Sequence, residues 1–143
     1  MPFVKIWVHL VWTTKNRAPL LTKDIKMKVF KHILENSKLK GINIDFINGY
    51  NNHVHALLYM KSKQSISEIV HLVKGESSYW VNKNQLTKYK FGWQDEFYAI
   101  SISSFETDKV REYIKNQEEH HKKISFDDEC KNLFKEFELI KEK

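Results

Sequence analysis

The chain has 143 residues, a length typical of one domain, and contains only four glycines and two prolines. This composition argues against a linker or a low-complexity segment, so we expect a single domain over residues 1–143. No apolar run approaches the roughly 20 residues needed to span a bilayer, so no membrane partner is expected. The formal net charge of +6 favours an anionic partner. A lone cysteine, Cys130, excludes an internal disulfide and, without a secretion signal, indicates a cytoplasmic protein.

The first half of the chain predicts a strand, a helix and a hairpin. Apolar residues alternate over Phe3–Thr14, which indicates a long strand. A helix is expected from an N-cap at Thr22 to about Lys40. Ile42–Tyr50 alternates again, and the turn residues after it predict a hairpin into a third strand. His32 is expected to be a surface residue of the helix. The buried stripe of that helix is predicted to contain five apolar residues: Ile25, Val29, Phe30, Ile33 and Leu34.

A second helix is predicted after the hairpin. Ser65 and Glu68 have the spacing of a capping box at its start. The apolar spacing continues to about Asn84. Gly75 lowers the helix propensity in the middle, which indicates a close approach to another backbone or to a ligand. Tight packing of this helix against the sheet explains the small residues equally well.

The remaining segments complete a recognisable order of elements. Phe91–Ser103 predicts the last strand, and a third helix is expected to reach about Lys123. A final, less firmly anchored helix is expected over Phe126–Ile140. The order strand, helix, strand, strand, helix, strand is that of the α+β, ferredoxin-like split βαβ fold, an antiparallel sheet with helices on one face plus C-terminal helices. That fold hosts many functions and names none of them.

Two histidines in the third strand point to a metal site. His53 and His55 are separated by one residue, so both side chains lie on the same face of a strand. Two neighbouring buried imidazoles are costly unless something uses their nitrogens, and a shared divalent metal ion does so most economically. Hydrogen-bonded histidines without a metal are the alternative.

A second pair of residues on the third helix could complete such a site. Tyr113 and Gln117 are four residues apart and therefore project from adjacent turns of one helix face. The Gln carbonyl suits Mg²⁺ or Mn²⁺, and the Tyr phenol is a nucleophile for a metal-polarised phosphate. A tyrosine that only packs against the sheet is the alternative. His121 continues this face to the edge of the site, although His120 and His121 are more often a solvated helix end. His9 is more often structural.

These motifs together resemble a known family. His53-Val54-His55 is an HUH motif, and Tyr113-Ile114-Lys115-Asn116-Gln117 resembles the catalytic helix of small single-tyrosine HUH transposases of bacterial insertion sequences, of the insertion sequence 200/605 type. Asn52 is a departure, because many relatives carry an acid there. Three further segments are similar to the same family, so that the resemblance covers nearly the whole chain: Trp7–Lys15, Lys74–Ser78 and Trp93–Gln94.

The resemblance implies a function and a set of roles. Such enzymes cleave and rejoin single-stranded DNA at element ends through a 5′-phosphotyrosine intermediate, recognise subterminal hairpins and need no nucleotide cofactor. It implies that His53, His55 and Gln117 bind Mg²⁺ or Mn²⁺ and that Tyr113 is the nucleophile. It also implies a homodimer, often with the tyrosine helix of one subunit at the partner's metal site, acting on DNA in the bacterial cytoplasm and nucleoid. Five residues are expected to contact DNA: Lys15, Asn16, Arg17, Lys74 and Ser77.

Two other functions remain open from the sequence. A catalytically inactive or domesticated relative would bind single-stranded or hairpin DNA without forming a covalent adduct. A small metalloenzyme of unrelated chemistry could also use the H-x-H pair. The second alternative is disfavoured because we find no further cluster of His, Asp or Glu with ligand spacing.

Overall fold

The structure, a computed structural model, describes residues 2–134. Four antiparallel strands form one sheet in the order β2-β3-β1-β4. The strands are β1 (Ile6–Thr14), β2 (Asn43–Gly49), β3 (His53–Met60) and β4 (Trp93–Ile102). The helices are α1 (Lys23–Leu39), α2 (Ile66–Lys83), α3 (Thr107–Lys115), α4 (Gln117–His121) and α5 (Phe126–Phe134). This arrangement confirms the predicted ferredoxin-like α+β fold.

Two predictions extend beyond the residues that the structure describes. The last part of the predicted helix Phe126–Ile140 lies outside the described residues, and the single domain over residues 1–143 stays a prediction. Within residues 2–134, no helix is both long and apolar enough to cross a membrane.

One face of the sheet packs against α1 and α2 and forms the main hydrophobic core. The registers of β1 and β3 pair Leu10 with Ala56 and Trp12 with Val54, so these side chains share that face. Val29 from α1 and Val73 from α2 pack on them. The period of two along each strand therefore places the apolar set on the helix-covered side.

The other face of the sheet carries buried polar residues and is covered by the C-terminal helices. His9, Thr13, His53 and His55 are all buried on this face. Helix α3 packs there against β2 and β3. The C-terminal helices thus lie opposite α1 and α2, and they remove from solvent the strip of side chains in which the H-x-H pair lies.

The buried face of helix α1 differs from the predicted buried stripe at two positions. Val29, Phe30 and Ile33 are buried as predicted, but Leu34 is 37% exposed. Lys26 is buried instead, because its ammonium pairs with Glu118 at 3.0 Å and so joins α1 to α4.

The prediction that His32 is a surface residue is wrong. Its ring stacks on Trp80 of α2, with ring centroids 4.0 Å apart, and its Nε2 lies 2.7 Å from a carboxylate oxygen of Glu76. The contacts come from tertiary structure, which the helix periodicity does not show, because α1 and α2 lie side by side on the same face of the sheet. His32 therefore connects α1 to α2.

The third predicted helix is broken in two at Asn116. The side-chain amide of Asn48 in β2 donates hydrogen bonds to the carbonyls of Ile114 and Lys115, at 3.0 and 3.1 Å. These bonds satisfy carbonyls that a continuous helix would have paired internally. The break lets α4 start at Gln117, and it corrects the prediction of one helix to Lys123.

Packing against the sheet, rather than a close approach at Gly75, explains the small residues of α2. A Cβ atom added to Gly75 would meet no atom within 4 Å. Ser77, in contrast, is 1% exposed, and its hydroxyl accepts a hydrogen bond of 2.9 Å from Nε1 of Trp93 in β4. The capping bond from the amide of Glu68 to the Ser65 hydroxyl, at 3.1 Å, is as predicted.

Two glycine substitutions test the tight contacts at Gly49, in the β2–β3 hairpin, and the open space at Gly75. At Gly49, a Cβ would overlap the carbonyl oxygen of His53 and lie 3.0 Å from Cα of Val54, so we expect Gly49→Ala to lower the free energy of unfolding by about 1–3 kcal/mol. Gly75→Ala should raise it by about 0.5–1 kcal/mol, because the space is open and alanine favours the helix. Urea denaturation measures both changes. A Gly49→Ala variant as stable as the wild type would contradict the hairpin geometry.

Candidate active site

The two histidines of the H-x-H pair lie side by side at the start of β3. In the register with β1, His53 lies opposite Thr13 and His55 opposite Val11, so both rings project to the face covered by α3. Both residues are 0% exposed, and their ring centroids are 5.2 Å apart. The period-two prediction for this pair is confirmed.

Each histidine is oriented through its Nδ1 atom. Nδ1 of His53 lies 2.8 Å from Oδ1 of Asn52, and Nδ1 of His55 lies 2.8 Å from Nε2 of His9. The Asn52 oxygen thus accepts a hydrogen bond from Nδ1 of His53. With Nδ1 engaged in both rings, the two Nε2 atoms face the same interior space.

Burial keeps these rings neutral. Burial is the main cause that lowers the pKa of His53 to about 4 and the pKa of His9 to about 3. It also lowers the pKa of His55. Neutral imidazole is the form that binds a metal ion, so the cluster is electronically suited to a ligand role.

The structure brings the predicted residues of the third helix to these histidines. Oε1 of Gln117, a fully buried residue, lies 3.0 Å from Nε2 of His53. The ring of Tyr113 lies 5.8 Å from that of His55 and 5.9 Å from that of His9. All four predicted site residues therefore meet within one chain, while their chemical roles stay predictions.

The sequence interpretation missed Glu129, which lies at the centre of this cluster. The side chain of Glu129 in α5 is 0% exposed. Its Oε1 lies 3.3 Å from Nε2 of His53, 3.2 Å from Nε2 of His55 and 3.0 Å from Nε2 of His121. Its Oε2 accepts hydrogen bonds from the Tyr113 hydroxyl and, at 2.8 Å, from Nε2 of Gln117.

These contacts determine the protonation of Glu129 and Tyr113. Burial alone would raise the pKa of Glu129, but the close contacts of its carboxylate with the rings of His121, His53 and His55 outweigh burial and hold that pKa well below its usual range. Burial first, and then the bond to Glu129, raises the pKa of Tyr113 well above that of a free phenol. Tyr113 is therefore held as a protonated phenol that donates to a carboxylate.

The end of α4 lines the cluster instead of facing solvent. The ring of His121 stacks on Tyr50 with centroids 5.0 Å apart, and its side chain is 4% exposed. The ring of His120 lies 4.5 Å from that of Tyr113. The interpretation of this pair as a solvated helix end is wrong, because α5 folds over it, and His121 does lie at the edge of the site.

Helix α5 is firmly anchored where the structure describes it, contrary to expectation. The ring of Phe126 lies 4.3 Å from that of His53. The Arg17 guanidinium lies 5.2 Å from the Phe126 ring and forms an ion pair with Asp127. A signal for this docking was present in the sequence, because Phe126 and Glu129 are three residues apart and share one helix face.

The residues expected to contact DNA have two kinds of surroundings. Lys15 and Asn16 are exposed in a 3-10 turn directly after β1, where the amide of Asn16 donates to Oε1 of Gln94 at 3.0 Å. Arg17 is exposed in the same turn but is engaged with Asp127. Because Thr14 bonds to the carbonyl of Asn52 at 2.9 Å, this turn adjoins the hairpin that carries the histidines.

Lys74 and Ser77 in α2 have structural contacts instead. The Lys74 ammonium donates to the carbonyls of Gln94, Asp95 and Glu96 at 2.6–3.0 Å, and burial lowers its pKa to about 8. Ser77 is buried against Trp93. This burial argues against the predicted contact between Ser77 and DNA.

The donor atoms of the cluster fit a divalent metal ion. One ligand atom each from His53, His55 and Glu129 lie within 4.8 Å of one another. The carbonyl oxygen of Gln117 adjoins His53. Imidazole nitrogens combined with amide and carboxylate oxygens form a donor set suited to ions such as Mn²⁺ or Mg²⁺.

Comparison with known proteins identifies the family. Residues 3–117 match the family model described as "Transposase IS200 like". The chain belongs to this transposase family. It is also 24% identical over 114 residues to the ISDra2 transposase TnpA of Deinococcus radiodurans, with 76% of this chain and 81% of that protein covered. The chain is thus a DNA-cleaving transposase of the insertion sequence 200/605 type, as the resemblance predicted.

Solved structures share the fold. A crystal structure of a candidate transposase from Deinococcus radiodurans R1 superposes with a TM-score of 0.66 at 21% identity, covering 81% of this transposase and 93% of that chain. A REP-associated tyrosine transposase bound to a REP hairpin superposes with a TM-score of 0.63 at 14% identity, covering 85% and 72%. At these identities the two superpositions establish the architecture of the sheet and its helices.

The bond between His9 and His55 gives a test of the metal site. His9→Leu removes the partner of Nδ1 of His55, so the imidazole is no longer held with Nε2 towards Glu129. We expect Mn²⁺ affinity, measured by calorimetric titration, to fall about 10- to 100-fold. His71→Leu, on the exposed face of α2, is the matched control and should leave the affinity unchanged. Equal affinities in both variants would show that His9 does not support the site.

Proposed function

We propose that this transposase cleaves and rejoins single-stranded DNA at the ends of an insertion sequence, with Tyr113 as the nucleophile. One observation carries the proposal: the Tyr113 hydroxyl and the Nε2 atoms of His53 and His55 converge on the same buried carboxylate. A nucleophile and a set of metal ligands at one point are what phosphoryl transfer requires. Membership of the transposase family supports DNA as the substrate.

The proposed chemistry exchanges one phosphate ester for another. The phenol oxygen of Tyr113 attacks the scissile phosphorus, a bond forms between them, and the bond from phosphorus to the 3′ oxygen breaks. The phenol proton ends on that oxygen, so the products are a 3′-hydroxyl and a 5′-phosphotyrosine. Attack by a 3′-hydroxyl of another strand reverses the exchange and rejoins the DNA. No step consumes a nucleotide cofactor.

The roles of the other residues follow from their contacts. His53, His55 and Gln117 would hold Mg²⁺ or Mn²⁺. When bound, such an ion polarises the scissile phosphate and offsets the negative charge that develops on it. Asn52 and His9 keep the two imidazoles turned towards that position through their Nδ1 atoms.

DNA recognition is proposed to involve the basic turn beside the hairpin and a folded DNA element. Lys15 and Asn16 are exposed next to the strand end that carries His53. The net charge of +6 favours a phosphate backbone, and binding of this kind weakens as salt increases. A structurally similar transposase was solved with a bound REP hairpin. This supports the proposal that subterminal hairpins are the DNA element recognised.

We further propose a homodimer that acts on DNA in the bacterial cytoplasm. Support comes from the open edge of the sheet at β4 and from apolar side chains exposed beside it. Ile6 is the first residue of β1 and Phe3 precedes it, while Phe105 follows the end of β4, the strand paired with β1. A second copy of the chain that packs on this edge would remove these side chains from water.

A covalent adduct tests the proposed function. The protein is incubated with single-stranded DNA that carries imperfect palindromes, together with Mn²⁺, and denaturing gels reveal any DNA bound covalently. We expect an adduct with the wild type and none with Tyr113→Phe, which lacks the attacking oxygen. Tyr89→Phe, on an exposed tyrosine, is the matched control and should form the adduct normally.

Two results would contradict the proposal. An adduct that persists in Tyr113→Phe would show that another residue is the nucleophile. Tight hairpin binding without an adduct, with the DNA ends of the protein's own element supplied, would favour the catalytically silent DNA-binding relative.

A further inference from the structure

A carboxylate from beyond the family-matched residues reaches the centre of the site. The family match ends at residue 117, whereas Glu129 lies in α5. Its side chain is nevertheless fully buried between the H-x-H pair and the tyrosine helix. The family match therefore does not account for the most central side chain of the cluster.

The two oxygens of this carboxylate serve different partners. Oε1 faces the Nε2 atoms of His53, His55 and His121, at 3.0–3.3 Å. Oε2 accepts from the Tyr113 hydroxyl and from the Gln117 amide. One oxygen is thus directed at the ligand nitrogens and the other at the nucleophile.

We propose that Glu129 is a ligand of the divalent ion and that the same carboxylate positions Tyr113 beside that ion. This inference rests on the metal site of the proposed function and adds to it a donor from α5. Glu129 is a metal ligand through Oε1 and a positioning residue for the nucleophile through Oε2.

The charge balance of the cluster supports a ligand role. Among the described side chains that converge here, Glu129 is the one carboxylate, while His53, His55 and Gln117 offer donor atoms without a negative charge. In the described part of the chain, no lysine or arginine forms an ion pair with Glu129, and the nitrogens closest to its Oε1 belong to His53, His55 and His121. A fully buried carboxylate without a permanent cation is costly, and a divalent ion at this point would neutralise it.

Glu129 also determines which atom of Gln117 faces the ligand nitrogens. The Gln117 amide nitrogen donates to Oε2 of Glu129 at 2.8 Å, so the amide oxygen is left facing His53. Without this acceptor the amide could turn its nitrogen, which cannot bind a cation, towards the site. Loss of the carboxylate would therefore disturb two oxygen donors.

The helix that carries Glu129 is held in place before any DNA binds. Phe126 packs on the ring of His53, and Arg17 contacts both Phe126 and Asp127. These contacts lie one turn or less before Glu129 on α5. The carboxylate is thus preorganised by packing against the residues that it serves.

The test measures metal binding on DNA-free protein, by calorimetric titration with Mn²⁺. We expect Glu129→Gln, which keeps the shape and removes the charge, to bind Mn²⁺ at least about 10-fold more weakly than the wild type. Asp128→Asn is the matched control on the same helix, exposed to solvent, and should bind as the wild type does. Glu129→Asp, which keeps a carboxylate, should bind more tightly than Glu129→Gln, and it serves as the test variant if Glu129→Gln does not fold.

The rate of adduct formation is a second measurement, and it tests whether Glu129 positions Tyr113 or instead blocks the site. At Mn²⁺ concentrations that saturate each variant, Glu129→Gln should form the DNA adduct more slowly, because the single oxygen of the glutamine amide replaces two charged oxygens and cannot both face the ligand nitrogens and accept from Tyr113. Wild-type Mn²⁺ affinity in Glu129→Gln would overturn the ligand role. Faster adduct formation would overturn the positioning role and show that α5 obstructs the site. Failure of the proposed function appears differently, as a wild type that forms no Tyr113-dependent adduct.

Discussion

The hydrogen-bonding requirement of two fully buried imidazoles constrains the rest of this structure. His53 and His55 have four ring nitrogens, and each has a partner: Asn52 and His9 at the Nδ1 atoms, and α4 or α5 residues at the Nε2 atoms. A buried polar group left without a partner costs about 1–3 kcal/mol. The hairpin, β1, α4 and α5 are therefore each coupled to the same two side chains.

The two faces of the sheet carry different kinds of side chain. On one side, α1 and α2 bury an apolar core whose residues alternate along β1 and β3. On the other side, the same strands present histidines, and the C-terminal helices cover them with polar side chains. The break at Asn116, stabilised by Asn48, lets the chain change direction between Tyr113 and Gln117 while both reach the site. One short helix interruption therefore places Tyr113 and Gln117 beside the same buried carboxylate.

The regular parts of the fold and half of the site could be predicted from local periodicity. A period of two places His53 and His55 on one face, and a spacing of four places Tyr113 and Gln117 on another. These relations depend only on backbone geometry. The connection between them is longer in sequence, and nothing in local spacing pairs His9 with His55 or His32 with Trp80.

Glu129 shows most clearly why the rest could not be predicted, because its spacing from Phe126 places both on one helix face without determining where that face docks. It lies among acidic residues in a segment whose composition is typical of a solvated helix, next to Asp127 and Asp128, which are exposed. Only the docking of Phe126 against His53 turns Glu129 inwards. Ser77 illustrates the opposite case, because the family resemblance implied a DNA contact, whereas its hydroxyl accepts a hydrogen bond from Trp93 inside the core.

Central to this structure is a site built entirely by one chain, since Tyr113 and the histidines meet within a single copy. Mixing two variants that the proposed function expects to be inactive, His53→Ala and Tyr113→Phe, tests this most directly with the DNA adduct as the readout. Each mixed chain then lacks one half of its own site. If each chain uses its own tyrosine, the mixture stays as inactive as its components. An adduct on the His53→Ala chain in the mixture would contradict the single-chain site, because its Tyr113 would then be serving the histidines of a partner.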